Sequence, residues 1–187
     1  ILFKAVETKI IEFRAVKGYD PKVILLQNHG IFVSADTTQE IAAIYDKIIA
    51  NIEKEVTTPV DNSILPVAEH VTEVVPAIRA IVSTEGLKTI KVTNSALVEK
   101  FNCCAENFEK VNYPFTPDLI VYCKSKYIYI DEVSSPEATI DAFKTKYKQF
   151  VADNAYAPKV VFIKGIGMLS IGDNAAQSNI IKEVFED

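Results

Sequence analysis

One pattern occurs three times along this 187-residue chain and constrains its fold more than any other feature. Each copy has a proline, a run of β-branched and aromatic residues, a short polar or glycine-containing break, and a second such run. Runs of this kind bounded by Gly, Asn or Ser predict β-hairpins. The three predicted hairpins are residues 21–33, 117–130 and 158–169. Because their strands are almost continuously apolar, we expect sheets covered on both faces.

A helix is predicted after each hairpin. Thr37 and Glu40 offer a capping box for the first helix, whose apolar residues then recur at helical spacing. Ser135 followed by Pro136 is a typical start for the second helix. Asp173 is expected to cap the third. The pattern therefore predicts an α/β fold in which strand hairpins are backed by helices.

The first and third hairpin-helix units align without gaps, which indicates an internal repeat. The aligned pairs are Pro21 with Pro158, Lys22 with Lys159, Val23 with Val160, Gly30 with Gly167, Asp36 with Asp173, and Ile44 with Ile181. The two copies differ at the turn, where Asn28-His29 in the first corresponds to Gly165-Ile166 in the second. One copy thus has a polar turn that can bind a ligand, and the other has only a backbone turn.

The chain is long enough for two small units with a real core. The polar segment 57–64, which contains Pro59, is the expected linker. It separates residues 1–56, with the His-Gly hairpin, from a second αβ unit at 65–187. Within that second unit we expect a helix over 65–85 interrupted at Pro76, a short strand at 88–92 and a helix at 95–101.

Composition excludes several classes of function. A net charge of −5 without a basic cluster argues against nucleic acid, and no apolar run approaches the ~20 residues of a membrane span. Three cysteines, two of them adjacent, fit reduced, buried thiols in a cytoplasmic protein better than a disulfide framework. The chain opens directly into a periodic segment, so a fragment of a longer protein is expected.

One of the two histidines, His29, lies in the break of the first predicted hairpin. A neutral imidazole on a tight turn can face an open cleft and bind a metal ion. Its neighbours Asn28 and Gly30 permit unusual backbone angles, which functional turns often use. The alternative is a turn histidine that is hydrogen-bonded to backbone. A metal site needs at least three protein ligands, and the nearby sequence does not offer the others.

Other polar residues give weaker signals. His70 lies beside Glu69 on a charged segment, which is not a metal-ligand spacing, and is expected to face solvent. The turn at 164–167 has glycines that could cradle phosphate, but it lacks the remaining motif and is interpreted as a hairpin turn. Four carboxylates are interpreted as solvated surface: Glu53, Glu55, Asp131 and Glu132. Three tyrosines are expected to pack against the sheet: Tyr122, Tyr127 and Tyr129. The catalytic and substrate-binding residues stay unknown.

Residues 23–33 read VILLQNHGIFV, and Thr37 and Glu40 open the next helix. This block resembles the last conserved block of the class II aldolase/adducin-head family. The resemblance is to the aldolase part of bifunctional rhamnulose-1-phosphate aldolase/short-chain dehydrogenase proteins in particular. Residues 116–124 and 164–168 resemble two further blocks of those long forms. The likeness covers most of the chain, and the first block is the most specific.

The resemblance implies a three-layer αβα fold and a zinc ligand at His29. The other two histidine ligands and the catalytic carboxylate would lie upstream, in a segment that this chain does not contain. The implied reaction is cleavage of a ketose 1-phosphate, such as rhamnulose 1-phosphate in rhamnose catabolism, to dihydroxyacetone phosphate and an aldehyde. The chain would then be the C-terminal fragment of a cytoplasmic, homo-oligomeric lyase, inactive alone. An upstream aldolase half, and a dehydrogenase domain downstream, would complete it.

A second hypothesis is a non-catalytic interaction or oligomerisation module similar to an adducin head, because the fold alone does not prove an enzyme. A His-x-His motif encoded before Ile1 would favour the aldolase. A nicotinamide-dependent oxidoreductase predicts a glycine-rich strand-to-helix turn that the sequence does not contain. Whether the chain is itself an enzyme is left open by the sequence.

Overall fold

The computed structural model describes residues 2–27 and 29–187. The fold is α/β, as predicted, and divides into two compact units, Ile1–Pro59 and Val60–Asp187. The division falls inside residues 57–64, the expected linker. None of the described helices is both long enough and apolar enough to cross a membrane.

In the first unit, residues 2–27 and 29–59 form two helices and one two-stranded antiparallel hairpin. Its elements are α1 (Leu2–Lys17), β1 (Val23–Leu26), β2 (Gly30–Val33) and α2 (Thr38–Glu53). The first predicted hairpin is therefore confirmed, with Val23 opposite Val33. The predicted helix start is confirmed as well, because the Thr37 hydroxyl accepts a hydrogen bond from the Glu40 N–H at 3.2 Å. No described residue of this unit is buried.

The second unit is built on a four-stranded sheet. Its strands are β3 (Thr89–Thr93), β4 (Ile128–Ile130), β5 (Val160–Ile163) and β6 (Gly167–Gly172). The order across the sheet is β3-β6-β5-β4. The β5–β6 pair is the third predicted hairpin, and β3 matches the predicted short strand. Antiparallel pairing joins β3 to β6, whereas β4 runs parallel to β5.

Helices cover both faces of this sheet, which gives the three-layer αβα arrangement. The helices are α3 (Val71–Val82), α4 (Ala96–Asn102), α5 (Ala105–Glu109), α6 (Pro136–Asn154) and α7 (Ala175–Glu186). Alternate residues of β5 point to opposite faces. Val161 packs in the cluster formed with α3 and α6, and Phe162 in the cluster formed with α4, α5 and α7. Ser135 caps α6 as predicted.

The second predicted hairpin is wrong. Residues 119–123 form one turn of π-helix, Leu119–Cys123, instead of a strand. The Thr116 hydroxyl accepts a hydrogen bond from the Leu119 N–H at 3.3 Å, and Pro117 follows it. A threonine cap with proline at the first helical position favours a helix start over the β propensity of the run. Only β4 of the predicted pair exists, and its partner is β5.

Two smaller predictions about helices also fail. The cap of α7 is Asn174, whose side chain accepts a hydrogen bond from the Gln177 N–H at 2.9 Å, and not Asp173. The expected helix over 65–85 begins only at Val71 and continues through Pro76 without interruption. Proline removes one N–H donor, and packing of the buried face of α3 on the sheet offsets that loss.

Candidate functional site

The turn of the β1–β2 hairpin presents His29. Its backbone N–H donates to the Leu26 carbonyl at 3.1 Å, which closes the turn. Gly30 has a φ of +111°, a left-handed conformation that disfavours any residue with a Cβ. The His29 side chain is exposed. Asn28 lies outside the described residues.

The β5–β6 hairpin has the corresponding backbone hydrogen bond and glycine conformation. The Ile166 N–H donates to the Ile163 carbonyl at 3.0 Å. Ile163 lies opposite Gly167 in the register, and Gly167 has a φ of +116°. These are the counterparts of the bonds and angles around His29 and Gly30 in the gapless alignment. The two hairpins therefore agree at their turns as well as in their sequence alignment. That the two units form an internal repeat stays a prediction.

The agreement continues into the helix that follows each hairpin. Asn174 caps α7 at the position where Thr37 caps α2. The Asp173 N–H donates to the Gln177 side chain at 2.6 Å. The corresponding bond before α2 runs from the Asp36 N–H to the Glu40 side chain at 3.3 Å. Both helices therefore begin with reciprocal cap bonds of the capping-box kind. A pair of capping bonds at each start fixes how the helix leaves its hairpin.

The two turns have opposite surroundings. Ile166 is 0% exposed and belongs to the core cluster formed with α3 and α6, whereas the His29 side chain is exposed. The structure thus places the candidate ligand where a metal ion or substrate can reach it. It also shows that the corresponding turn of the second unit is used for packing.

One exposed imidazole does not make a metal site. Among residues 2–27 and 29–187, no three His, Cys, Asp or Glu side chains are grouped so that they could hold a metal ion. His29 fits the role of one nitrogen donor by its chemistry and its exposure. The described residues do not supply the rest of a coordination shell.

The prediction that His70 faces solvent is wrong. It is half-buried at the start of α3, and its Nε2 atom is buried with no hydrogen-bond partner. Its carbonyl accepts the Glu73 and Val74 N–H groups at 3.0 Å, which opens the helix. The segment contacts the sheet because the Ala68 N–H donates to the Gly165 carbonyl at 3.0 Å. His70 is therefore a packing residue of the second unit.

The acidic and phenolic candidates show no catalytic arrangement. Four carboxylate residues are exposed, as expected: Glu53, Glu55, Asp131 and Glu132. Hydrogen bonds from Ser134 hold the pKa of Glu132 below its usual value, which makes it a weaker base. Burial raises the pKa of Tyr129 to about 12, and its hydroxyl donates to the Asn102 carbonyl at 3.0 Å. Tyr127 is buried as predicted, but Tyr122 is 42% exposed because its segment is helical.

The glycine turn at 164–167 is a hairpin turn, as predicted, and β3 packs closely against Gly167. A Cβ on Gly167 would lie 2.3 Å from the Thr93 carbonyl oxygen. Sequence reasoning missed the fully buried Asn102, whose Nδ2 donates to the Ile163 carbonyl at 2.8 Å near this turn. The sequence signal for it is an amide side chain on the apolar face of α4, where Val98 is also buried. The approach of β3 leaves no space for a side chain beside Gly167.

The cysteines differ from the prediction of buried thiols. Only Cys123 is buried, and burial raises its pKa to about 12. Cys104 is exposed and Cys103 is half-buried, and both are free. Their sulfur atoms lie 3.8 Å apart.

Comparison with known proteins identifies the family. Residues 69–187 match the model described as aldolase class II, second domain. The chain therefore belongs to this class II aldolase family. The match covers most of the second unit and does not include His29. No curated protein and no solved structure matches the chain.

Proposed function

We propose that this chain is part of a zinc-dependent class II sugar-phosphate aldolase, with His29 as one metal ligand. The observation that carries the proposal is an exposed imidazole at the tip of the β1–β2 hairpin, in a chain of the class II aldolase family. Upstream residues would supply the remaining ligands and the catalytic carboxylate. When bound, zinc would supply Lewis-acid polarisation of a ketone and stabilisation of an enediolate.

Exposed apolar residues on the first hairpin support a larger aldolase core. Leu25 is 76% exposed and Phe32 is 61% exposed. Their counterparts in the β5–β6 hairpin, Phe162 and Leu169, are 2% and 0% exposed, and they lie in different core clusters. The β5–β6 hairpin is thus enclosed on both faces, whereas the corresponding side chains of β1–β2 are exposed to solvent. A two-stranded hairpin is only marginally stable alone, so we infer that upstream strands extend its sheet and enclose it.

The substrate, partners and location belong to the same proposal. A ketose 1-phosphate such as rhamnulose 1-phosphate would be cleaved to dihydroxyacetone phosphate and an aldehyde by a homo-oligomer in the cytoplasm. A dehydrogenase domain downstream would make the protein bifunctional. This chain would contribute the metal-ligand hairpin and a second domain that serves packing or assembly.

The first experiment uses the chain as it stands. Purified chain incubated with zinc and rhamnulose 1-phosphate should release no dihydroxyacetone phosphate, because the described residues hold one donor of the proposed site. Clear turnover would show that the fragment is active and would contradict this part of the proposal.

The second experiment tests His29 in the longer protein. Changing His29→Gln should lower bound zinc and reduce kcat/KM by about a hundredfold or more. The matched control is His70→Gln, since the other histidine lies in the second unit. Full zinc content and activity in the His29→Gln protein would overturn the assignment.

A non-catalytic interaction module remains the second candidate, and the exposed apolar surface of the first unit favours it equally. The two candidates differ upstream of Ile1. The aldolase requires a His-x-His motif encoded there and zinc in the purified protein, whereas an adducin-head-like module requires neither.

A further inference from the structure

The adjacent cysteines Cys103 and Cys104 lie at the junction of α4 and α5. They belong to the second unit, whereas the proposed metal ligand His29 belongs to the first. Both thiols are free, and their sulfur atoms are 3.8 Å apart. Two sulfur atoms bound at about 2.3 Å to one atom are about 3.4–3.8 Å apart, for bond angles from about 95° in a pyramidal centre to about 110° in a tetrahedral one. The two side chains are therefore already close to the separation that a shared bound atom needs.

A disulfide is a poor alternative for this pair. Adjacent Cα atoms are about 3.8 Å apart across a trans peptide. Unstrained disulfides join Cα atoms that are usually about 4.4–6.8 Å apart. A bridge between neighbouring residues would therefore be strained, whereas an inserted atom lengthens the link between the two sulfurs. The geometry favours chelation over oxidation.

A neighbouring side chain contacts Cys103 and holds it beside Cys104. The Asn107 Nδ2 atom donates to the Cys103 sulfur at 3.1 Å. Asn107 is itself held in place, because its Nδ2 also donates to the Lys100 carbonyl at 3.0 Å and its Oδ1 accepts from Lys110 Nζ at 2.7 Å. The exposed Cys104 leaves the pair open to solvent.

We propose that Cys103 and Cys104 form a dithiol site that chelates one soft, thiophilic centre of the class that includes trivalent arsenic. With phenylarsine oxide, two As–S bonds form, the As–O bond breaks, and the two thiol protons leave with that oxygen as water. Arsenic remains trivalent, so no oxidant or reductant is needed. The site is independent of the aldolase reaction.

Intact mass after treatment with phenylarsine oxide tests the proposal. The chain should gain one phenylarsenic group with loss of one water, and 1,2-ethanedithiol should reverse the gain. Trypsin cleaves after Lys100 and Lys110, so the adduct should be on peptide 101–110, whereas Cys123 lies on peptide 111–124. An adduct that includes peptide 111–124 would overturn the proposal.

Single substitutions separate chelation from ordinary thiol reactivity. Cys103→Ser and Cys104→Ser should each weaken the apparent affinity by about 10²- to 10⁴-fold, because the second attachment is intramolecular. Cys123→Ser should behave like the unchanged chain. If that variant does not fold, the peptide map of the unchanged chain decides. Unchanged affinity in either single variant at 103 or 104 would refute the site.

Asn107→Ala tests the positioning of Cys103. The apparent affinity for phenylarsine oxide should fall in this variant, because the Cys103 sulfur loses its contact with Asn107 Nδ2. The adduct should stay on peptide 101–110. An unchanged affinity would remove Asn107 from the proposal.

Discussion

The β1–β2 hairpin and the β5–β6 hairpin close their turns with the same backbone hydrogen bonds and lead into helices capped at corresponding positions. Around β5–β6, β3 and β4 extend the sheet and helices cover both faces. Around β1–β2, the described part of the chain provides a two-stranded sheet and no buried residue. Local sequence sets the hairpin, and the surroundings decide whether its residues serve stability or stay available for function.

The largest expected difference between the hairpins is their protection from hydrogen exchange. Amides of β5–β6 should exchange only through global unfolding of the second unit, about 5–15 kcal/mol for a domain. Amides of β1–β2 in the chain alone should exchange through local opening that costs close to zero, because none of the described residues of the first unit is buried. Exchange followed by mass spectrometry measures both. Equal protection would show that the first hairpin is already enclosed.

The second largest difference is expected when the side chain at each turn, Ile166 or His29, is removed. Ile166→Ala should lower the free energy of unfolding of the second unit by about 2–5 kcal/mol, since it removes a fully buried side chain. His29→Ala should change that free energy by less than about 0.5 kcal/mol. Urea unfolding followed by circular dichroism gives both values. A large loss in the His29→Ala chain would mean that the imidazole has a structural role.

The two turn glycines give a smaller contrast. Gly30→Ala meets no atom within 4 Å, so only the left-handed backbone opposes it, at about 1–2 kcal/mol. Gly167→Ala adds a collision with the Thr93 carbonyl oxygen at 2.3 Å and should cost about 1–3 kcal/mol more. Thermal unfolding of the Gly167→Ala chain and exchange rates at the first turn in the Gly30→Ala chain test this. Equal costs would contradict the close approach of β3 to the second turn.

Local signals accounted for much of this fold. Both hairpins of the comparison were predicted because each joins two apolar runs through a turn with a glycine. The cap at Thr37 was predicted from residues within four positions of it, and so was the cap at Ser135. The gapless alignment also contained the right cap for α7, since Asn174 falls opposite Thr37. Residue type alone favours Asp173 as the cap, whereas the alignment with Thr37 indicates Asn174.

Long-range packing accounts for the misses. Residues 119–123 have a strand-like composition, but the cap at Thr116 and the packing of Leu119 and Cys123 in the core give a helical turn. The burial of His70 depends on where the chain before α3 contacts the second turn. Neither effect is visible in local periodicity. At the candidate site the exposure of His29 follows from its turn position, whereas local sequence does not show which residues would lie near it in space.

The smallest expected effect concerns the aspartate before each capped helix. A hydrogen bond from Lys88 and the nearby Lys159 charge hold the pKa of Asp173 below its usual value. A carboxyl whose pKa is lower in the folded state stabilises that state above the unfolded pKa of about 3.9. This contribution is lost as pH falls through the folded pKa. Asp173→Asn should therefore lower the unfolding midpoint slightly at pH 7, and the difference should shrink toward pH 3.

Lys88→Met provides the matched control, because it removes the main cause of the lowered pKa and leaves the carboxylate. The double variant with Asp173→Asn should be no less stable than Lys88→Met alone if the ion pair is the whole effect. The counterpart residue in the first unit is Asp36, and Asp36→Asn should leave the midpoint of the second unit unchanged at both pH values. A pH-dependent loss in the Asp36→Asn chain would mean that the two units unfold together, and the contrast between an enclosed and an open hairpin would then have to be abandoned.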